Sequence, residues 1–284
     1  MVTRGGVLVT ACTDHSVLVL EDGPPVWTEN AFGQSPILLI CDHASNRLPR
    51  ALGTLKLTSD ALQSHVAWDP GAYNVAVHLA RSLNATLVSA TFSRLAYDVN
   101  RPPSSPQAIR TASEIYDIPG NANLSPEERN ARAAEIYYPF HDAIDALIEA
   151  RSSRNLTTVL VTLHSFTPVY YGTQRLVQLG ILHDQDSRLA DCLLGCAETL
   201  TALNIQRNKP YGPQDGVTHT LAKHAVPRGL LNVMIEIRND LIQTARQQSE
   251  MGDLLVAMLK CALGRLGVPA HAAAQPGSRN ASRH

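Results

Sequence analysis

The sequence has no surplus of positive charge: 24 Lys and Arg stand against 25 Asp and Glu. A chain so near neutrality has no electrostatic footprint for nucleic acid or an anionic membrane surface. Long hydrophobic runs are missing too. No stretch approaches the roughly 18 apolar residues of a membrane span. The opening MVTRGGVLVTACTDHSVLVL is interrupted by Asp14 and His15, so it lacks the continuous apolar segment of a signal peptide. The expectation is a soluble, cytoplasmic protein with no nucleic-acid or membrane partner. Cysteines are few, odd in number and scattered (Cys12, Cys41, Cys192, Cys196, Cys261). That excludes a disulfide framework and predicts reduced thiols. Cys41 and Cys192 read as small core residues, and Cys192 with Cys196, four apart on a helix, makes a poor metal pair. Several catalytic signatures are also absent: the Gly-x-Ser-x-Gly elbow, the Gly-x-Gly-x-x-Gly fingerprint, the Walker loop and the His-Glu-x-x-His helix.

What is present is a chain of 284 residues, 44% hydrophobic, enough for one large α/β core. Residues 1–35 alternate short apolar runs with Gly and Pro and read as an N-terminal extension packed on the domain, as a hairpin or an edge addition. The domain itself is placed at 36–268. Pro36 to Cys41, TTVLVTLHS, RLVQLGILHD and LLNVMIEIRND read as buried strands, and ATLVSATFSRLAYDVNRPP as one or two more, ending at Asn100 and Arg101. Helical spacing follows Pro70-Gly71, where Val75, Leu79 and Leu83 share a face. A capping box at Ser125-Pro126-Glu127-Glu128 opens a helix expected to reach Arg151. DSRLADCLLGCAETLTALN is amphipathic, and a last helix is expected over 241–266. Residues 103–124 read as a long loop and 269–284 as a disordered tail. Strands alternating with helices imply a mainly parallel sheet covered on both faces, with ligands at the carboxyl ends of its strands.

Polar residues collect at those ends. The run ILLIC stops at Asp42-His43, and TTVLVTL stops at His164. Two imidazoles on two strand ends suit one divalent ion, and catalytic zinc usually takes three protein ligands and leaves one position open. The third could be Asn46 or Asp69, with Asp42 orienting an imidazole from outside. Glu236 lies within an apolar strand, where a carboxylate is costly unless paired or used. It is either an ion-pair partner of Arg238 on the same strand face or a general base. Arg94, Asp98, Asn100 and Arg101 could clamp a carboxylate, since guanidinium matches it bidentately; equally, Asp98 could simply pair with Arg94.

Taken together, LICDHASNRLP, HVAWDPGA, SRLAYDVNRPP, TLHSF, NKPY and IEIRNDLI resemble the N-formylglutamate amidohydrolase family, in the family's order and over roughly residues 36–260. That family is similar to the wider zinc-dependent exopeptidase group, which holds zinc carboxypeptidases, aspartoacylase and succinylglutamate desuccinylase. The resemblance implies a three-layer α/β/α, phosphorylase/hydrolase-like fold and hydrolysis of an N-acyl acidic amino acid, N-formyl-L-glutamate above all. It also implies one divalent metal, expected to be Zn2+. His43 and His164 match the group's first and last ligands, while Asn46 stands where the group has Glu and Thr162 where it often has Asp. Glu236 falls where the catalytic Glu is expected. Arg94 matches the residue that polarises the scissile carbonyl, and Asn100 and Arg101 match the pair that holds the substrate carboxylate. Two alternatives remain within enzymes, another N-acyl amino acid deacylase or a metallo-carboxypeptidase. Outside them stands a catalytically silent metal- or carboxylate-binding protein.

Overall fold

The run Ile37–Cys41 is buried at every residue, as a strand covered on both faces must be. A computed structural model describes residues 15–269. In chain order its strands are β1 Val26–Glu29, β2 Ile37–Cys41, β3 Thr86–Ala90, β4 Ala112–Ser113, β5 Tyr116–Asp117, β6 Val159–Phe166, β7 Val169–Tyr170, β8 Thr173–Gln174, β9 Leu179–Leu182, β10 Ile205–Arg207 and β11 Leu231–Arg238. Seven of them form one sheet in the order β1-β3-β2-β6-β11-β9-β10, while β4-β5 and β7-β8 are separate hairpins. The helices are α1 Ser59–Gln63, α2 Ala72–Leu83, α3 Pro126–Arg132, α4 Tyr138–Ser152, α5 Arg188–Leu200, α6 His219–His224 and α7 Ala245–Arg265.

The sheet is parallel at its centre, where β3, β2, β6 and β11 lie side by side. It is mixed at its edges: β1 is antiparallel to β3, β9 is antiparallel to β11, and β10 is parallel to β9. The reversal at β9 has a simple cause. A parallel return needs a crossover, usually a helix, and the stretch between β6 and β9 holds only the hairpin β7-β8. Alternate strand residues feed two cores. Leu39, Val161 and Ile235 meet α2, α5 and α7 on one face; Leu38, Ile40, Leu160 and Met234 meet α4 and α6 on the other. The result is three layers, α/β/α.

Local signals hold where the chemistry is local. Ser125 N–H donates to Glu128 Oε2 at 2.7 Å and Glu128 N–H to Ser125 Oγ at 3.2 Å. The helix they open runs through a π turn at Ala133–Tyr137 into α4. The segment after β3 differs from expectation, since residues 91–101 form a loop rather than a second strand. In the N-terminal stretch β1 adds an edge to the sheet. The expected tail lies outside the described residues except for its first residue. Among the described residues no helix is long and apolar enough to cross a membrane. The expectation of reduced thiols is corrected for one pair: Cys196 of α5 and Cys261 of α7 form a disulfide. A sequence separation of 65 residues hid a contact that two packed helices create.

Between α4 and α6, His141 Nδ1 lies 2.7 Å from His224 Nε2, while its Nε2–H donates to the Val99 carbonyl at 2.8 Å. Burial, then the neighbouring His224, pulls the His141 pKa from 6.5 down to about 3. The unfolded chain therefore takes up a proton near pH 6.5 that the fold refuses until about 3. This contribution to stability is complete above about pH 6.5 and is lost as pH falls towards 3. Melting temperatures measured from pH 7 downward should fall steadily through that window; a flat profile would contradict a neutral His141.

The topology also locates a crevice. From β2 the chain passes through α2 to β3 on one side, then through α3 and α4, across the opposite face, to β6 on the other side. The connections diverge at the adjacent strands β2 and β6, and ligands in such sheets bind at the carboxyl ends beside this switch point.

Candidate functional site

His43 follows β2 by two residues, and His164 lies towards the carboxyl end of β6. Their ring centroids are 5.1 Å apart. Asp69 stands between them, its Oδ2 3.4 Å from His43 Nδ1 and 3.1 Å from His164 Nδ1. It arrives on the loop between α1 and α2, which is tied down on both sides. Asp69 N–H donates to the His43 carbonyl at 3.0 Å, and Ser165 N–H donates to Asp69 Oδ2 at 3.2 Å. Gly71, two residues on, has φ 81° and caps α2 against the Ile242 carbonyl, a conformation and a closeness that a side chain would disturb. His43, Asp69 and His164, all buried, thus present ligand atoms within 4.8 Å of one another and could hold a metal ion.

The surrounding groups suit that use. His43 Nε2 meets Asp98 Oδ1 at 2.7 Å, and His164 Nε2 meets Asp42 Oδ2 at 3.0 Å. A carboxylate can only accept, so the His43 proton belongs on Nε2 and its Nδ1 presents a lone pair. That Nδ1 is buried with no hydrogen-bond partner. The carboxylate behind His43 is the arrangement that fixes the tautomer and orientation of a metal-binding histidine, whereas the His164 hydrogen bond is the one between Nδ1 and Asp69 Oδ2 at 3.1 Å. Burial, then the Arg94 charge, lowers the His43 pKa to about 4, which keeps its ring neutral at pH 7. Burial would raise Asp98, but His43, Arg101 and Arg110 hold it well below the ordinary carboxylate range. Asp42 is likewise raised by burial and brought lower overall, by His164 first and by the Thr220 hydroxyl, which donates to it at 2.9 Å.

Asn46 does not join this cluster. Its amide donates to the Leu62 carbonyl at 3.0 Å and to Gln63 Oε1 at 3.3 Å. Three residues beyond His43 on a loop need not share its direction, as they would on a helix. Glu236 pairs in register with His164 on β6 and with Gly180 on β9. Its Oε2 is buried without a hydrogen-bond partner. Burial raises its pKa, against the opposing charges of His164, Arg94 and His43. Arg238 is not its counter-ion: at the strand end it turns to Asp240, Nε to Oδ1 2.8 Å.

Arg94 forms an ion pair with Asp69, not with Asp98. Asn100 is heavily engaged, donating to the Val217 carbonyl at 2.5 Å and accepting from Thr220 N–H at 3.0 Å. It thereby fastens Thr220, and through it Asp42. Arg101 donates to the Asn100 carbonyl at 2.8 Å and forms no ion pair among the described residues.

These groups line a cavity of about 490 Å³. The same wall carries residues with no role expected from the sequence, namely His65, Arg110, Glu114, Tyr170, Arg175, Tyr211 and Asp215, although His65 and Tyr211 lie in the motifs HVAWDPGA and NKPY. His65 carried a weak signal, four residues before Asp69, and its Nδ1 lies 3.6 Å from Asp69 Oδ1. Arg175 carried none, because a hairpin brings it in. The site gathers two imidazoles, a shared carboxylate, an unpartnered buried carboxylate and several guanidiniums, an assembly fit to bind a cation and an anionic ligand together.

Comparison with known proteins places the chain in a family. The family model for N-formylglutamate amidohydrolase matches residues 35–243. A gene product from Agrobacterium tumefaciens, known by crystal structure, is 51% identical, with a TM-score of 0.87 over 88% of this chain and 99% of its own. An N-formylglutamate amidohydrolase from Ralstonia eutropha JMP134 has the same fold at 17% identity, with a TM-score of 0.66 over 86% of this chain and 99% of its own. No curated protein matches the chain.

Proposed function

Because the chain belongs to the N-formylglutamate amidohydrolase family, we propose that it is a metal-dependent hydrolase of small N-acyl acidic amino acids. N-formyl-L-glutamate, cleaved to formate and L-glutamate, is the foremost candidate substrate. The observation that carries this reading is the meeting of His43 Nδ1, His164 Nδ1 and Asp69 in the same cavity as the unpartnered Glu236 carboxylate. These three residues would hold a divalent ion, with zinc the best match for two imidazoles and one carboxylate. When bound, such an ion supplies Lewis acidity towards the scissile carbonyl and acidifies water.

The chain's own groups do the rest. Asp98 and Asp42 keep the imidazoles turned towards the centre. Glu236 takes a proton from the attacking water and passes it to the amide nitrogen as the C–N bond breaks, and its raised pKa suits both halves of that transfer. Arg94 offers a guanidinium to the carbonyl oxygen as negative charge develops there. Arg101, with no carboxylate partner of its own, binds the α-carboxylate of the substrate, and Asn100 holds the loop that carries it. The silent-binding alternative drew its force from Asn46 in a ligand position; with Asp69 supplying a carboxylate, that motive is removed.

The test is release of formate from N-formyl-L-glutamate by the purified protein, its loss on chelation and its return with zinc. A metal-loaded protein inactive on N-formyl, N-acetyl and peptide substrates alike would overturn the reading. Arg101→Lys should raise KM for acidic N-acyl amino acids, because ammonium cannot reproduce the bidentate fork. If kcat fell and KM did not move, Arg101 would not be a carboxylate reader.

A further inference from the structure

Four guanidiniums line the cavity, from Arg94, Arg101, Arg110 and Arg175. Two are spoken for: Arg94 pairs with Asp69, and Arg110 Nη2 lies 3.6 Å from Asp98 Oδ2. The other two form no ion pair among the described residues. Of these two, the proposed function uses Arg101 alone, for the α-carboxylate. Arg175 is left as a cation on the cavity wall, and it is unusually well held. Its guanidinium lies 4.3 Å from the Tyr170 ring centroid and 4.7 Å from that of Tyr211. Its backbone is pinned at both ends, its N–H donating to the Pro168 carbonyl at 2.8 Å and its carbonyl accepting from Arg238 at 3.1 Å. Among the described residues its guanidinium donates a long hydrogen bond to the Thr167 carbonyl at 3.4 Å. A guanidinium fixed by aromatic faces yet short of acceptors has its edge left for a planar, bidentate anion.

We infer that Arg175 is the specificity-determining residue of the site, reading a second carboxylate on the substrate: the side-chain carboxylate of an N-acylated glutamate or aspartate. This rests on the proposed function and deepens it. The Tyr170 and Tyr211 faces fix the guanidinium plane before binding, so little side-chain freedom remains to be lost. The β7-β8 hairpin, which also forces the reversal at β9, is the element that delivers it.

The experiment compares N-formyl-L-glutamate with N-formyl-L-glutamine, which keeps the shape and removes the charge. The wild type should favour the glutamate substrate in kcat/KM by roughly 10- to 100-fold, the range of one charge-assisted hydrogen-bonded contact. Arg175→Gln should bring that ratio close to unity, whereas Arg175→Lys, which keeps a cation, should retain part of it. A ratio unchanged in Arg175→Gln, or equal losses on both substrates in both variants, would overturn the assignment. A second readout is independent of turnover: thermal stabilisation of the zinc-loaded protein by L-glutamate should exceed that by L-glutamine, and the difference should vanish in Arg175→Gln. If the wild type hydrolyses neither substrate but keeps this difference, the proposed reaction fails and the anion site stands. If it hydrolyses both without preference, the reaction stands and the Arg175 assignment fails.

Discussion

Glu236→Gln should fold, bind metal and bind substrate, yet turn over about 10²- to 10⁴-fold more slowly, the usual loss on removal of a general base. The amide keeps the shape of the carboxylate but cannot take the proton. The same substitution should not lower the melting temperature. Glu236 is buried, its Oε2 has no hydrogen-bond partner, and Arg238 is engaged with Asp240. No ion pair is broken, and an uncompensated buried carboxylate is itself a cost to the fold. Measuring kcat and melting temperature on one preparation separates the two roles. A stable, metal-loaded variant with near-normal kcat would remove Glu236 from the chemistry. A fall of many degrees in melting temperature would mark it as a structural group instead.

Loss of the metal is expected from Asp69→Ala. Its Oδ2 is the atom on which His43 and His164 converge. Outer partners such as Asp42 typically cost roughly 10- to 100-fold in metal affinity when removed, and Asp69→Ala should exceed that loss, whereas Asp42→Ala should fall within it. Asn46→Ala should leave the metal in place, because its amide is spent on Leu62 and Gln63. Metal content after dialysis, measured for the three variants side by side, orders them. Full retention in Asp69→Ala with loss in Asn46→Ala would return the third ligand to the His-x-x-Asn spacing. Equal retention in both would mean that the two histidines suffice or that the ion lies elsewhere.

The layers of the fold and the rim of its sheet are legible in the amino-acid order. Buried strands write themselves as apolar-rich runs, and β2, β6 and β11 are legible in ILLIC, TTVLVTLHS and LLNVMIEIRND. A polar residue inside such a run or just after it is conspicuous because burial makes it costly, as with Glu236, His164 and His43. The capping box at Ser125 was legible because its two hydrogen bonds join residues three apart.

How those residues are partnered follows from packing alone. Both Asp69 and Asn46 are open as third ligand in the sequence; in the fold the loop after α1 sets Asp69 between the imidazoles, while the end of α1 holds the Asn46 amide on Leu62 and Gln63. Asp98 could pair with Arg94 along the chain, yet across the fold it meets His43, while Arg94 meets Asp69. Cys196 and Cys261 meet because α5 packs on α7, and Arg175 reaches the cavity because β7-β8 turns the chain back. Hydrophobic periodicity records which face of an element is buried, since every residue on that face feels the same solvent. It carries no record of which residue lies opposite, because that depends on loop paths whose polar residues face solvent or one another and leave no period in the sequence.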